Sequence, residues 1–310
     1  MLIAESKDFS SAALERLQTT FDVELSDLDR DELLRAVGDC DYLWVRLRTI
    51  IDREVFDAAP KLNAVVTNTT GLNHIELAVA QEQQVRVISL QGEIDFLNDI
   101  RATAEHTLGL ALALLRGIPT AHQHVLSGGW DRDEFKGAEI YQRRIGIIGY
   151  GRLGRIVARY FSALGAEIAI CDPKCNEQDV VDNFPVCSLE RTLRENSLVS
   201  LHANYTPENR HMLGSAQFEQ MAPGSYLINT ARGELVDEAA LASAIAAGRL
   251  NGVALDVRDN EHEPTSSFDR IRELAVRGSN VIVTPHIGGN TTESRERTEV
   301  FLANKLVALR

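Results

Sequence analysis

Three things are scarce in this chain, and each scarcity removes a class of function. Positive charge is the first: 32 Lys and Arg stand against 45 Asp and Glu, a net charge of −13, and the cations are scattered rather than gathered in runs. That leaves no basic footprint for nucleic acid or for an anionic membrane surface, so an anionic small molecule would need its own local cationic pocket. Cysteine is the second. Cys40, Cys171, Cys175 and Cys187 are the only 4 in 310 residues. Their spacing matches no zinc or redox motif and they are too few for a disulfide framework, so no metal site and reduced thiols in a cytoplasmic setting are expected. Long apolar runs are the third. "TLGLALALLRGIP" is shorter than the roughly 20 residues a membrane span needs, and Arg116 interrupts it, so it reads as a buried helix. The opening "MLIAESKDFS" lacks a basic segment followed by an apolar core, and no signal peptide is expected. What is present is 44% hydrophobic residues over 310 positions, enough for two soluble domains with a core each.

Short β-type runs alternate with helical patterns along the chain, which argues for an α/β protein with parallel sheets. A first series runs through residues 1–4, 21–25, 42–45, 64–67 and 85–89; a second through 145–148, 167–171, 198–201, 226–228, 252–257 and 281–284. The predicted fold is two doubly wound parallel-sheet domains. Helices over about 102–116 and 292–309 carry the chain across and back, which makes the first domain discontinuous: residues 1–101 with 291–310, enclosing 102–290.

"RRIGIIGYGRLGRIVARYFSALGAEIAICDP" carries the most specific local signal. Gly149, Gly151 and Gly154 follow a strand and open a helix whose apolar face is Leu153, Ile156, Val157, Tyr160, Phe161 and Leu164. A lone G-x-G-x-x-G is weak evidence, but strand, turn and helix in this order form a dinucleotide-binding Rossmann unit. Gly149 permits the tight turn, Gly151 the approach of a pyrophosphate and Gly154 close packing of helix on strand, while the helix N-terminus at Arg152 and Leu153 supplies amide donors. Asp172 ends the next strand, where a carboxylate accepts hydrogen bonds from ribose hydroxyls and disfavours a 2′-phosphate; NAD is the expected cofactor.

Arg232, in "NTARGELVD", sits on a short turn between a buried strand and a segment read as a helix over 235–247. A cation near a helix N-terminus is unfavourable unless an anion is there too. With that turn placed, "AEHTLGLALALLR", "NTARGELVDEAALASAIAAGRLNGVALDV" and "VIVTPHIGGNT" together resemble the D-isomer-specific 2-hydroxyacid dehydrogenases, a family that includes D-3-phosphoglycerate, glycerate and D-lactate dehydrogenases. The likeness extends to "VRLRTIIDREVFDAAPKLNAVVTNTTGLNHIEL", and so covers nearly the whole chain. It implies a Rossmann NAD-binding domain inserted in a flavodoxin-like substrate domain, with a catalytic arginine, glutamate and histidine at Arg232, Glu261 and His286.

On that reading the Arg232 fork grips a substrate carboxylate, His286 is the acid/base and Glu261 orients the imidazole and favours its protonated form. Where the family reads approximately "LDVFEEEP" this chain has "LDVRDNEHEP". Counting on from Asp256 selects Glu261, and counting back from Pro264 selects Glu263. The resemblance also puts Asp256, Thr206, Thr230, Ala231 and Gly288 beside the cofactor; Asp256 would face the nicotinamide, although strand-end capping would explain it as well.

On the substrate side, the backbone N–H groups of Thr69, Thr70 and Gly71 could form an anion-binding nest. Arg46 resembles an arginine that some members direct at the far end of the substrate. Arg48 is one strand period away, and for both a plain surface charge is the other reading. The connection "SLQGEIDFLNDIRATAEHT" is longer than the family's, and is either a mobile cover or a surface insertion. "GGWDRDEFKGAEIYQRR" resembles the segment through which the family forms homodimers, and the chain ends where some relatives continue into a regulatory domain. The expected function is NAD-dependent interconversion of a D-2-hydroxy acid and its 2-keto acid in a cleft between the domains. The rivals are a formate dehydrogenase, which typically has glutamine at the Glu261 position, and a corepressor-like protein that senses NAD(H) with little turnover.

Overall fold

The computed structural model describes residues 1–309 other than His262 and Pro264. The chain divides into two compact units, residues 1–100 with 290–310 and residues 101–289.

The first unit is built on five parallel strands, β1 (Leu2–Ile3), β2 (Glu24–Leu25), β3 (Tyr42–Val45), β4 (Ala64–Thr67) and β5 (Arg86–Ile88), in the order β2-β1-β3-β4-β5. This 2-1-3-4-5 order is the flavodoxin-like one. Strand residues alternate between two apolar layers: Leu2, Leu43 and Val45 pack on one face, Ile3, Trp44 and Val66 on the other. The second layer is closed by Leu302, Ala303 and Leu306 of the helix Thr292–Ala308. The run expected over 21–25 shortens to its last two residues, because the Phe21 amide turns back to the Leu17 carbonyl at the end of the preceding helix.

The 91–101 connection packs onto its own unit. It holds a short helix, Ile94–Leu97, fastened to the closing helix Thr292–Ala308. Phe96 stacks on Phe301 at 4.0 Å between ring centroids, Lys305 pairs with Glu93 at 2.5 Å, and Leu97 is buried in the core. Stacking, charge and burial thus fasten this segment to the closing helix and the core of its own unit.

The second unit holds β6 (Arg144–Ile148), β7 (Glu167–Cys171), the hairpin β8 (Val180–Val181) and β9 (Phe184–Pro185), then β10 (Leu198–Leu201), β11 (Ser225–Asn229), β12 (Leu250–Leu255) and β13 (Val281–Val283). Its main sheet is parallel throughout, in the order β13-β12-β11-β10-β6-β7. A single parallel bridge between Ile170 and Val186 continues it beyond β7. Counting that bridge as a vestigial third strand gives the order 3-2-1-4-5-6-7, the 3-2-1-4-5-6 arrangement of dinucleotide-binding sheets with β13 added as a seventh strand at the edge.

Ile145, Ile147, Leu198, Ile228 and Ala254 face the layer that contains the helices Ala102–Arg116 and Arg152–Ala163; Ile148, Val199, Leu201, Leu227, Val253 and Leu255 face the opposite one. The helix expected over 235–247 begins at Glu238, since residues 233–235 form a 3₁₀ turn and Asp237 caps the amides of Ala239 and Ala240. Among the described residues no helix is long and apolar enough to cross a membrane, and no group of three or more metal-ligating side chains occurs.

Candidate active site

Because every strand of the second sheet points the same way, all six carboxyl ends share one edge, and each leads into a residue singled out from the sequence. In spatial order these are His286 beyond β13, Asp256 after β12, Arg232 beyond β11, Thr206 beyond β10, the glycine turn after β6 and Asp172 after β7. The order in which strands are added reverses at β6, with β7 on one side and β10 on the other, and at such a switch point an open α/β sheet has its ligand crevice. With neighbouring strands about 4.8 Å apart, the six ends span about 24 Å, enough for an extended dinucleotide.

The glycine turn has the required geometry. Gly149 has φ +89°, and a Cβ there would come within 2.5 Å of the His202 carbonyl carbon at the end of β10. A Cβ on Gly154 would collide with the Gly149 carbonyl, whereas one on Gly151 would meet nothing within 4 Å. The turn is therefore packed shut on its protein side and open where a pyrophosphate would approach. No side chain caps the helix that starts at Arg152, which leaves its first amides for an anion.

Leu153 packs against the core. Arg152 is partly buried, and burial and then the charge of Arg101 pull its guanidinium below the ordinary value. Asp172 is held by two amides, Tyr150 N–H at 2.7 Å and Lys174 N–H at 2.9 Å. The Tyr150 ring is clamped from outside: its hydroxyl donates to Asp182 on the β8–β9 hairpin, and burial with that carboxylate pushes its pKa up to about 12. Beneath the turn, His202 is kept neutral by burial, which pulls its pKa down to about 3.

At the other end of the edge, His286 Nδ1 lies 2.7 Å from Glu261 Oε2. Glu263 bonds Asn260 at 3.2 Å; Pro264, used in the alternative count, lies outside the described residues. His286 has φ +53°, a region that non-glycine residues occupy rarely. Its amide donates to the carbonyls of Asp256 and Thr284 at 2.8 and 3.0 Å.

Asp256 is 2% exposed and organises that turn, accepting from Thr284 Oγ1 at 2.6 Å, Ile287 N–H at 2.9 Å and Gly288 N–H at 2.8 Å. Burial pushes its carboxyl up, but bonds from His106, Thr284, Ile287 and Gly288 outweigh that and hold it below the usual range. Gly288 thus serves Asp256 with its amide.

Arg232 is partly buried, and its guanidinium Nη1 donates to the neighbouring Ala231 carbonyl at 2.5 Å. No carboxylate forms an ion pair with it among the described residues. Burial pulls the guanidinium below its ordinary value, against the opposing charges of Glu234 and Glu261. The turn that presents it is shaped by Asn229, fully buried, whose side chain accepts from the Ala231 amide at 3.0 Å and donates to the Arg232 carbonyl at 2.9 Å.

Gly233 explains the "RG" pair, since a Cβ there would collide with the Arg258 carbonyl group. The Arg232 turn and the Glu261 loop are seated directly on each other. Arg258 reaches on to the Glu261 carbonyl at 3.0 Å, and buried Glu238 ties the loop down through the Asp259 amide and the hydroxyls of Thr265 and Ser267.

Asn229, Glu238 and Arg258 were missed from the sequence. Asn at a strand end before a short turn is a usable signal. Glu238 reads as an ordinary acid in a first helical turn and gives none. Thr230 spends its hydroxyl on Thr107 at 2.8 Å, and Thr206 donates its hydroxyl to the Glu208 carboxylate, so neither hydroxyl needs a cofactor to explain it.

In the first unit, Thr69 Oγ1 donates to the Gly71 carbonyl at 2.7 Å, and Thr70 is exposed. Arg46 is already satisfied. Its Nη2 and Nε lie 2.5 and 3.2 Å from Oε1 of Glu299, which is 0% exposed, and its Nη1 donates to the Lys7 carbonyl at 2.8 Å. Arg48 pairs with Asp27 at 2.6 Å. Each arginine is thus in an ion pair, Arg46 with a buried carboxylate and Arg48 with an exposed one.

Residues 108–288 match the family model described as D-isomer specific 2-hydroxyacid dehydrogenase, NAD binding domain. A D-3-phosphoglycerate dehydrogenase of Mycobacterium bovis is 36% identical over 279 residues, covering 90% of this chain and 51% of that protein. The chain thus spans about half the length of that relative. A hydroxypyruvate reductase of Thermotoga maritima is 31% identical over 285 residues, covering 92% of this chain and 90% of that one. Among solved structures, the D-lactate dehydrogenase of Aquifex aeolicus complexed with NAD and lactic acid superposes with a TM-score of 0.85 at 26% identity, covering 99% and 94% of the two chains.

Proposed function

From the premise that the chain belongs to the D-isomer-specific 2-hydroxyacid dehydrogenase family, we propose that it interconverts a compact 2-keto acid and the matching D-2-hydroxy acid, with His286, Arg232 and Glu261 as the catalytic residues. Residues 108–288 are that family's NAD-binding domain. The observation that carries the reading is a partly buried guanidinium without an ion pair on the same sheet edge as a histidine–carboxylate pair.

When bound, the nicotinamide supplies or accepts the hydride at C2. Arg232 holds the substrate carboxylate in its planar fork and aligns C2. His286 gives a proton to the 2-oxygen in reduction and takes it back in oxidation, and Glu261 keeps the imidazole oriented and compensates the imidazolium. Asp172 holds the adenosine ribose, and the open face at Gly151 accepts the pyrophosphate. The N–H groups of Thr69, Thr70 and Gly71, which find no acceptor among the described residues, add donors for the carboxylate.

The engagement of Arg46 by Glu299 favours a substrate whose far end carries no second charge, such as glyoxylate, pyruvate or hydroxypyruvate. Likeness to D-3-phosphoglycerate dehydrogenases favours a phosphorylated one instead. We also place a homodimer contact at the helix Ile118–Leu126. It buries none of its own residues, and it leaves Ile118, Val125 and Leu126 exposed beside Trp130, itself 88% exposed.

A panel of 2-keto acids with NADH tests the reading. Compact uncharged-tail acids should be reduced, phosphohydroxypyruvate poorly, and His286→Gln should cost roughly 100-fold in kcat or more while NADH still binds. NADH binding without turnover on any acid would support the corepressor-like alternative.

A further inference from the structure

Three elements of the second unit meet at one carboxylate, and one of them brings a histidine to which the proposed mechanism gives no part. His106, on the helix Ala102–Arg116, places Nε2 3.0 Å from Thr284 Oγ1 and 3.3 Å from Asp256 Oδ1. Proton directions there are determined by chemistry. The Thr284 hydroxyl donates to Asp256 at 2.6 Å, so its lone pairs face His106, and Nε2 must carry a proton and donate. Both oxygens of Asp256 are then held, Oδ1 by Thr284, Ile287 N–H and His106, and Oδ2 by Gly288 N–H.

The turn these bonds enclose, Thr284 to Gly288, presents His286 at φ +53°. A side-chain-bearing residue stays in that region only where its surroundings over-determine it. Because Nδ1 of His286 is committed to Glu261 at 2.7 Å, the direction in which Nε2 faces follows from how firmly this turn is held. The helix that carries His106 also bonds the arginine turn, through Thr107 to Thr230 at 2.8 Å. A Cβ on Gly288 would lie 3.1 Å from Thr103 of the same helix. One helix therefore references both the proton donor and the carboxylate anchor.

We propose that His106 is a positioning residue for His286: its Nε2–H, shared between Thr284 and Asp256, completes the donor set that locks Asp256 onto the amides of Ile287 and Gly288 and so keeps the imidazole aimed at the reacting oxygen. Its consequence for turnover rests on the dehydrogenase reading; the clamp itself does not, and the two can be tested separately.

The test compares His106→Leu, which removes the donor, with His106→Gln, whose Nε2 can replace it, in the full chain. Three quantities are measured: amide hydrogen exchange at Ile287 and Gly288, NADH affinity by fluorescence, and steady-state reduction of the best 2-keto acid. His106→Leu should speed exchange at those two amides by about tenfold or more while the core strands keep theirs. It should also lower kcat by about tenfold or more with NADH affinity nearly unchanged, since small misplacements of reacting groups are costly. His106→Gln should restore both. Unaltered exchange at Ile287 and Gly288 in the leucine variant, or no recovery in the glutamine variant, would overturn the proposal. If the unsubstituted chain reduces no 2-keto acid, the dehydrogenase reading fails, and the exchange comparison still decides the clamp.

Discussion

Arg46 and Arg232 are both arginines just beyond the end of a buried strand, and the sequence offers each as an anion ligand. Their surroundings differ. Arg46 is bound on several sides by Glu299 and the Lys7 carbonyl, so removing its charge would strand a carboxylate that is 0% exposed. Arg232 is held at a similar depth by a backbone carbonyl alone, with no counter-ion among the described residues. Burial of an arginine is not in itself a sign of function. Burial without a contacting ion pair is, because a desolvated cation that no carboxylate touches is stable only if a ligand completes it or the surroundings are built to carry it.

Three predictions can break or sharpen that contrast. Arg232→Leu is expected to lower kcat/KM by about 100- to 1,000-fold, the loss typical of a preorganised charged donor. Its thermal midpoint should stay within about 2 °C, because no ion pair is broken. Kinetics and a melting curve on one preparation check both. Arg46→Leu is expected to do the opposite, losing about 3–5 kcal/mol in urea unfolding while kcat changes little, with Glu299→Leu in the same chain recovering much of the loss. An Arg46→Leu protein that melts normally but fails to turn over would reverse the assignment.

The third prediction concerns a buried carboxylate that is stabilised without a guanidinium. Asp256 titrates below the ordinary aspartate value, so the stability it contributes is complete above about pH 4 and is lost as pH falls through its lowered folded value. Asp256→Asn should therefore flatten the acid limb of the stability curve below pH ~4 while neutral-pH denaturation moves less than with Arg46→Leu. An unchanged acid limb would mean that the turn amides do not hold the charge.

The strands and the glycine turn were legible because their signals are local. An apolar run or a glycine acts within a few residues, and the second sheet was readable strand by strand. Features that depend on distant partners were not. Arg46 meets its counter-ion 253 residues along the chain, and nothing in "VRLRT" points to Glu299. His106 looks like one more histidine in an apolar helix until Thr284, 178 residues away, is placed beside it. The choice between Glu261 and Glu263 could not be made by counting, since it depends on which loop residue reaches the imidazole. The 91–101 connection was open for the same reason: Phe96 and Glu93 are unremarkable until Phe301 and Lys305 are packed against them.

The most direct test of the central claim is a calorimetric titration of oxamate, an uncharged-tail mimic of a 2-keto acid, into NADH complexes of Arg232→Leu and Arg46→Leu. Oxamate binding should be lost in the first and retained in the second. Retention in Arg232→Leu with loss in Arg46→Leu would contradict that claim.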